Sequence, residues 1–90
     1  MNKEVRAELE ELRTALEEIS SNIGPMKDRL EELKDEEECK LDNLPENFHE
    51  TEKGQQIQSS IDALESAISD LDEVVDNIDS AVNNIEEASS

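Results

Sequence analysis

The chain of 90 residues carries 26 acidic and 8 basic side chains, a formal net charge of -18, and a single aromatic residue, Phe48. Such a composition argues against a conventional globular core, allows one domain at most, and sets electrostatics against direct contact with nucleic acid or an anionic membrane. Hydrophobic residues at 33% against charged residues at 38% would mean disorder if scattered, but here they fall into one stripe.

Asn2 has the side chain of a helix N-cap, able to accept a hydrogen bond from an unpaired amide of the first turn. From Val5 the apolar residues run Leu9, Leu12, Leu16, Ile19, Ile23, Met26, Leu30 and Leu33, in alternating steps of 4 and 3. That is the a/d signature of a coiled coil, whose seam repeats every 3.5 residues and stays facing a partner helix. Gly24 and Pro25 interrupt this run, where they usually mark a helix stop. The phase does not slip across them, and Pro25 falls at the solvent-facing c position of the heptad. The expectation is one helix, residues 2–42, kinked at Gly24-Pro25; two helices joined by a turn there are the alternative.

Past Leu33 the seam weakens, with Glu37 and Lys40 in the next a and d places. A stutter through Leu33, Glu37, Leu41 and Leu44 restores it by local unwinding. Leu44-Pro45 then breaks the helix, since the residue before proline is pushed out of the α region, and residues 43–51 are read as the connection. Thr51 suits the N-cap of a second helix, 52–88. Gly54 takes an a position, where a missing side chain lets backbones approach closely.

The second arm is the more regular. Ile57, Ile61, Leu64, Ile68, Leu71, Val75, Ile78, Val82 and Ile85 keep the 4–3 alternation without error. Its e positions are Gln58, Glu65, Asp72, Asp79 and Glu86, whereas those of the first arm are Arg6, Arg13, Ser20, Lys27 and Lys34. In an antiparallel pair e flanks e, so the columns attract. The expected register sets Arg6 by Glu86, Arg13 by Asp79, Ser20 by Asp72, Lys27 by Glu65 and Lys34 by Gln58. The g column of the second arm reads Ala67, Val74, Ala81 and Ala88, widening the apolar stripe beyond what two strands need. The expected fold is therefore all-α: a single antiparallel two-helix coiled-coil hairpin over residues 1–90, dimerising along that edge into a four-helix bundle.

No constellation points to catalysis. Glu46 and His49 have the Glu-x-x-His spacing of di-iron bundles, which need two such pairs and further inward carboxylates. Cys39 and His49 fall short of a structural zinc site. Asp70, Asp72, Glu73 and Asp76 lack the glycine of a calcium loop and follow a helical spacing. The reading is no catalytic, metal or cofactor site. The lone cysteine fits a reducing compartment, no stretch is long and apolar enough to span a membrane, and the N-terminus has no apolar signal-like region; the expected location is cytoplasmic.

The segment Leu41-Asp42-Asn43-Leu44-Pro45-Glu46-Asn47, with Glu52-Lys53-Gly54 and the acidic Ile/Ala-rich helix after it, resembles small acidic proteins of unknown function encoded by bacterial phages and integrated elements. The resemblance covers residues 39–88; Gly24-Pro25 departs from the uninterrupted first helix expected of them. It implies a mobile-element origin and supplies no catalytic residue. The function expected from the residues themselves is non-enzymatic: a protein–protein interaction module that pairs with itself and shows a basic protein surface its acids, Asp62, Asp70, Asp72, Glu73, Asp76 and Asp79. The alternative is a DNA mimic that inhibits a nucleic-acid-binding or defence protein. Residues 55–90 hold nine acids and no base, and the chain's net charge is about two-thirds of the roughly 26 phosphate charges that B-DNA carries along a helix of ~45 Å, at one charge per ~1.7 Å.

Overall fold

The computed structural model describes residues 1–90 and is all-helical. Helix α1 spans Lys3–Asn43, a 3-10 turn follows at Glu46–Phe48, and helix α2 spans Glu52–Ser89. The N-terminus of α1 is closed by Asn2, whose Oδ1 accepts the Val5 N–H at 2.8 Å, and Glu4 sits in the first turn, where the helix dipole favours an acid. The helix continues through Pro25. Pro25 is exposed, so the carbonyl its missing N–H leaves unbonded lies on the side of water, the cheapest place for it.

The connection is a folded element in its own right. The Phe48 and His49 amides donate to the carbonyls of Pro45 and Glu46 at 2.8 and 3.2 Å. Nε2–H of His49 donates to the carbonyl of Leu44 at 2.9 Å, which assigns the ring proton, because a carbonyl only accepts. Thr51 donates both its amide and its hydroxyl to the Phe48 carbonyl, and its Oγ1 accepts the Gly54 amide at 3.4 Å, capping α2. Gly54 is buried directly beneath this turn. A Cβ there would overlap the His49 carbonyl and lie 2.7 Å from the Phe48 oxygen.

Two compact units divide the chain, one made of Met1–Pro25 with Leu71–Ser90, the other of Met26–Asp70. In each, a stretch of α1 packs against a stretch of α2 running the opposite way, as a helical hairpin does. In the first unit Arg13 reaches Glu86 and Ser20 shares a groove with Asp79. In the second, Lys34 reaches Glu65 and Leu33 shares a groove with Ser60, Ala63 and Leu64. Ile23 and Val82 are buried in the first unit, and Ile57, Ile61 and Ile68 in the second, Ile61 most deeply at 3% exposure. No side chain is wholly buried. The chain exposes 6536 Å², about a quarter more than the ~5300 Å² expected of a folded monomer of 10.1 kDa.

The seam of α1 differs from the expected one. Its covered positions are a and e: Leu9, Arg13, Leu16, Ser20 and Ile23 in the first unit, Lys27, Leu30 and Lys34 in the second. Of the d column only Leu33 is half-buried, while Leu12, Ile19 and Met26 stand 52%, 51% and 54% exposed, and Val5 is exposed as well. The e column explains this. Arg13 and Lys34 are largely covered and reach Glu86 and Glu65 of α2; long basic side chains cover apolar surface with their stems, which favours α1 rolled toward e with d turned outward. On α2 the a positions Gly54, Ile61, Ile68 and Val82 are buried with Ile57; Leu64, Leu71, Val75, Ile78 and Ile85 are half-buried.

Candidate interaction face

The d column of α1 and the d and g columns of α2 lie on the side of the hairpin away from the e columns, because heptad geometry places e and g on opposite flanks of the seam. In the first unit this face carries Val5, Leu12 and Ile19 from α1, with Leu71, Ile78 and Ile85 half-buried on α2 and Val74, Ala81 and Ala88 beyond them. In the second it carries Met26 and Leu33, with Leu64 and Ala67. Of the expected dimer edge, Val74 and Ala88 are exposed, and Ala67 and Ala81 half-buried. The groove between Leu33, Ser60, Ala63 and Leu64 shows the two flanks meeting there. The a/d pattern places Leu12, Ile19 and Met26 inside the seam; the signal for their exposure is the run of basic e residues, which compete for the contact with α2.

The borders of the face are unequal. Along α1 the c and g positions include Glu4, Glu8, Glu11, Glu18, Glu32 and Glu36, all exposed, with one base, Arg29, bonded to Glu32 at 2.8 Å. Along α2 the same positions read Gln56, Ser60, Ala63, Ala67, Val74, Asn77, Ala81, Asn84 and Ala88, with one acid, Asp70, and one base, Lys53.

Basic residues are turned to other work. Arg13 binds Glu10 through Nε and Nη2 and Glu17 through Nη1 at 2.8 Å, and Nη1 comes within 4.0 Å of Glu86. The hydrogen bonds from Arg13 hold the Glu10 carboxyl below the usual range, and Glu10 in turn raises Arg13. Lys40 is raised in the same way by its 2.8 Å bond to Glu37. Lys34 lies 3.8 Å from Glu38 and 3.6 Å from Glu65. The acids Asp62, Asp70, Asp72, Glu73, Asp76 and Asp79 are all exposed, and Asp62 accepts from Gln58 at 3.0 Å.

These contacts correct the register. Arg13 meets Glu86 where Asp79 was expected, and Lys34 meets Glu65 where Gln58 was expected, a slip of one heptad. A slip of seven returns every a, d and e residue to an equivalent place, so periodicity cannot choose between the two. The connection chooses: the first turn of α2 is occupied in packing against the 3-10 turn through Gly54, so its pairing with α1 starts later. Accordingly, Arg13→Glu combined with Glu86→Arg recovers ~0.5 kcal/mol relative to the two single changes in urea melts, and Arg13→Glu combined with Asp79→Lys recovers nothing. Equal recovery from both pairs would return the register to the expected one.

Of the Glu46 and His49 spacing, the structure engages Nε2 of the His49 ring with the Leu44 carbonyl. Cys39 is an exposed free thiol, and no group of three or more His, Cys, Asp or Glu side chains is placed to hold a metal ion. No helix is long and apolar enough to cross a membrane. Compared with protein families, curated proteins and solved structures, the chain matches none.

Proposed function

We propose that this chain is a non-enzymatic protein–protein interaction module: two hairpins associate through their apolar faces into a four-helix bundle and offer an acidic helical exterior to a basic partner surface. The observation that carries the reading is the half-exposed column Leu12, Ile19 and Met26, in a chain with no wholly buried side chain. Covering each of these residues gains about 1 kcal/mol, half the value of fully burying such a side chain. The excess surface, roughly 1200 Å² by size scaling, is of the order that a stable homodimer buries per chain. The face continues into the dimer edge expected from Ala67, Val74, Ala81 and Ala88. A free thiol at Cys39 suits the reducing cytoplasm.

Sedimentation equilibrium at micromolar concentration tests the association. The expected mass is twice 10.1 kDa, and Ile19→Glu, which puts a charge into the covered face, returns it to the chain mass with helicity retained. A wild-type monomer at high concentration would refute the bundle.

A second reading rests on the nine acids and no base of residues 55–90. An exterior of that kind imitates the phosphate array of DNA and blocks a basic groove, in keeping with an origin on a mobile element. Competition separates the two readings: duplex DNA displaces a mimic from its partner and leaves a helix-recognising partner in place.

A further inference from the structure

We infer that the second copy is seated with α1 of one chain over α2 of the other and with both connections at the same end of the bundle. The inference rests on the association proposed above and adds its geometry. Two hairpins placed face to face by a two-fold axis have two arrangements. With the axis along the helices, α1 lies over the partner's α2, and each compact unit meets the same unit of the partner. With the axis across the helices, α1 lies over the partner's α1, α2 over α2, and the connections are at opposite ends.

Charge separates the two. The α1 border of the face carries Glu4, Glu8, Glu11, Glu18, Glu32 and Glu36, all exposed, and its one base, Arg29, is held by Glu32. Laying α1 over its own copy brings two such columns together, with like charges opposed where water is being removed. Laying it over α2 sets the glutamates beside a border whose charges are one acid, Asp70, and one base, Lys53, and whose Ser60, Ala63, Asn77 and Asn84 leave room for the glutamate stems.

Size gives the same answer independently. The exposed column of α1 is large, Leu12, Ile19 and Met26 each being about half exposed. On α2 the large d residues Leu64, Leu71, Ile78 and Ile85 are half-buried in the seam, and the outer g column is small, with Ser60, Ala67, Ala81 and Ala88 around a single Val74. Large over small fills the space between helices evenly. The crossed arrangement would put large on large and small on small, and no single spacing between the hairpins fits both.

The native cysteine makes the test direct. Cys39 is the only cysteine and is exposed, close to the end of α1 that leads into the connection. A nitroxide on Cys39 of the full chain, read by double electron–electron resonance, reports the distance between the two copies. The seated arrangement gives a distance below about 30 Å, two helix spacings of 8–10 Å plus the label arms. In the crossed arrangement each second unit faces the partner's first unit, and Cys39 lies 13 residues beyond Met26, where that unit begins, so at 1.5 Å per residue the two labels are at least about 40 Å apart. A short distance in a sample that sediments as a dimer supports the inference. A long distance in a dimer overturns it and leaves the proposed association standing, and a labelled chain that sediments as a monomer, as unlabelled protein does, overturns both.

Discussion

Gly54→Ala lowers stability by about 1–3 kcal/mol, although alanine is the better helix former by ~1 kcal/mol. The reason lies beneath the 3-10 turn. An added Cβ overlaps the His49 carbonyl and approaches the Phe48 oxygen to 2.7 Å, and both are backbone atoms. Neither can swing aside as a long side chain would, and both belong to a turn that also holds the Thr51 cap. The other glycine supplies the control. A Cβ on Gly24 meets nothing within 4 Å, so Gly24→Ala gains the ~1 kcal/mol of helix propensity with nothing to offset it. Urea melts of the two variants shift in opposite directions from wild type at a fixed chain concentration. Parallel shifts would mean that the turn does not pack on α2 as described.

The second large effect is a gain. Pro25→Ala raises stability by up to ~3 kcal/mol, the cost of proline in a helix interior relative to alanine. Alanine restores the hydrogen bond to the carbonyl four residues earlier and removes the ring that crowds it. Position 25 is exposed, so no packing is lost in exchange. The midpoint of the urea transition rises, and helicity by circular dichroism increases at 222 nm. A fall in stability would show that the chain turns at Gly24-Pro25 instead of continuing as α1.

Two long helices packed on one another were legible in the sequence, because the alternation of steps from Val5 to Leu33 and from Ile57 to Ile85 has no other economical reading. What was not legible has two physical sources. The first is rotation. An a/d pattern locates an apolar stripe, but Arg13, Lys27 and Lys34 compete for the same contact with aliphatic stems and charged ends, and a stripe model gives them no weight. Leu12, Ile19 and Met26 were therefore assigned to the seam and stand at its exposed edge. The second is register. Arg13 against Asp79 and Arg13 against Glu86 are equivalent to any argument built on period seven, and the difference between them is decided by how Phe48 and His49 fold over Gly54.

That second point bears on how such a chain could change its length. Because heptads are interchangeable along both helices, the alignment has a single datum, the 3-10 turn at Glu46–Phe48 with the glycine beneath it. Seven residues added at matched points of the two arms leave every existing pairing intact and simply add one heptad to each arm. One residue added between Asn43 and Glu52 moves that datum, and every pair along the legs must be found again. The short, aperiodic part of the molecule thus acts as the zero mark of a scale whose graduations are otherwise identical.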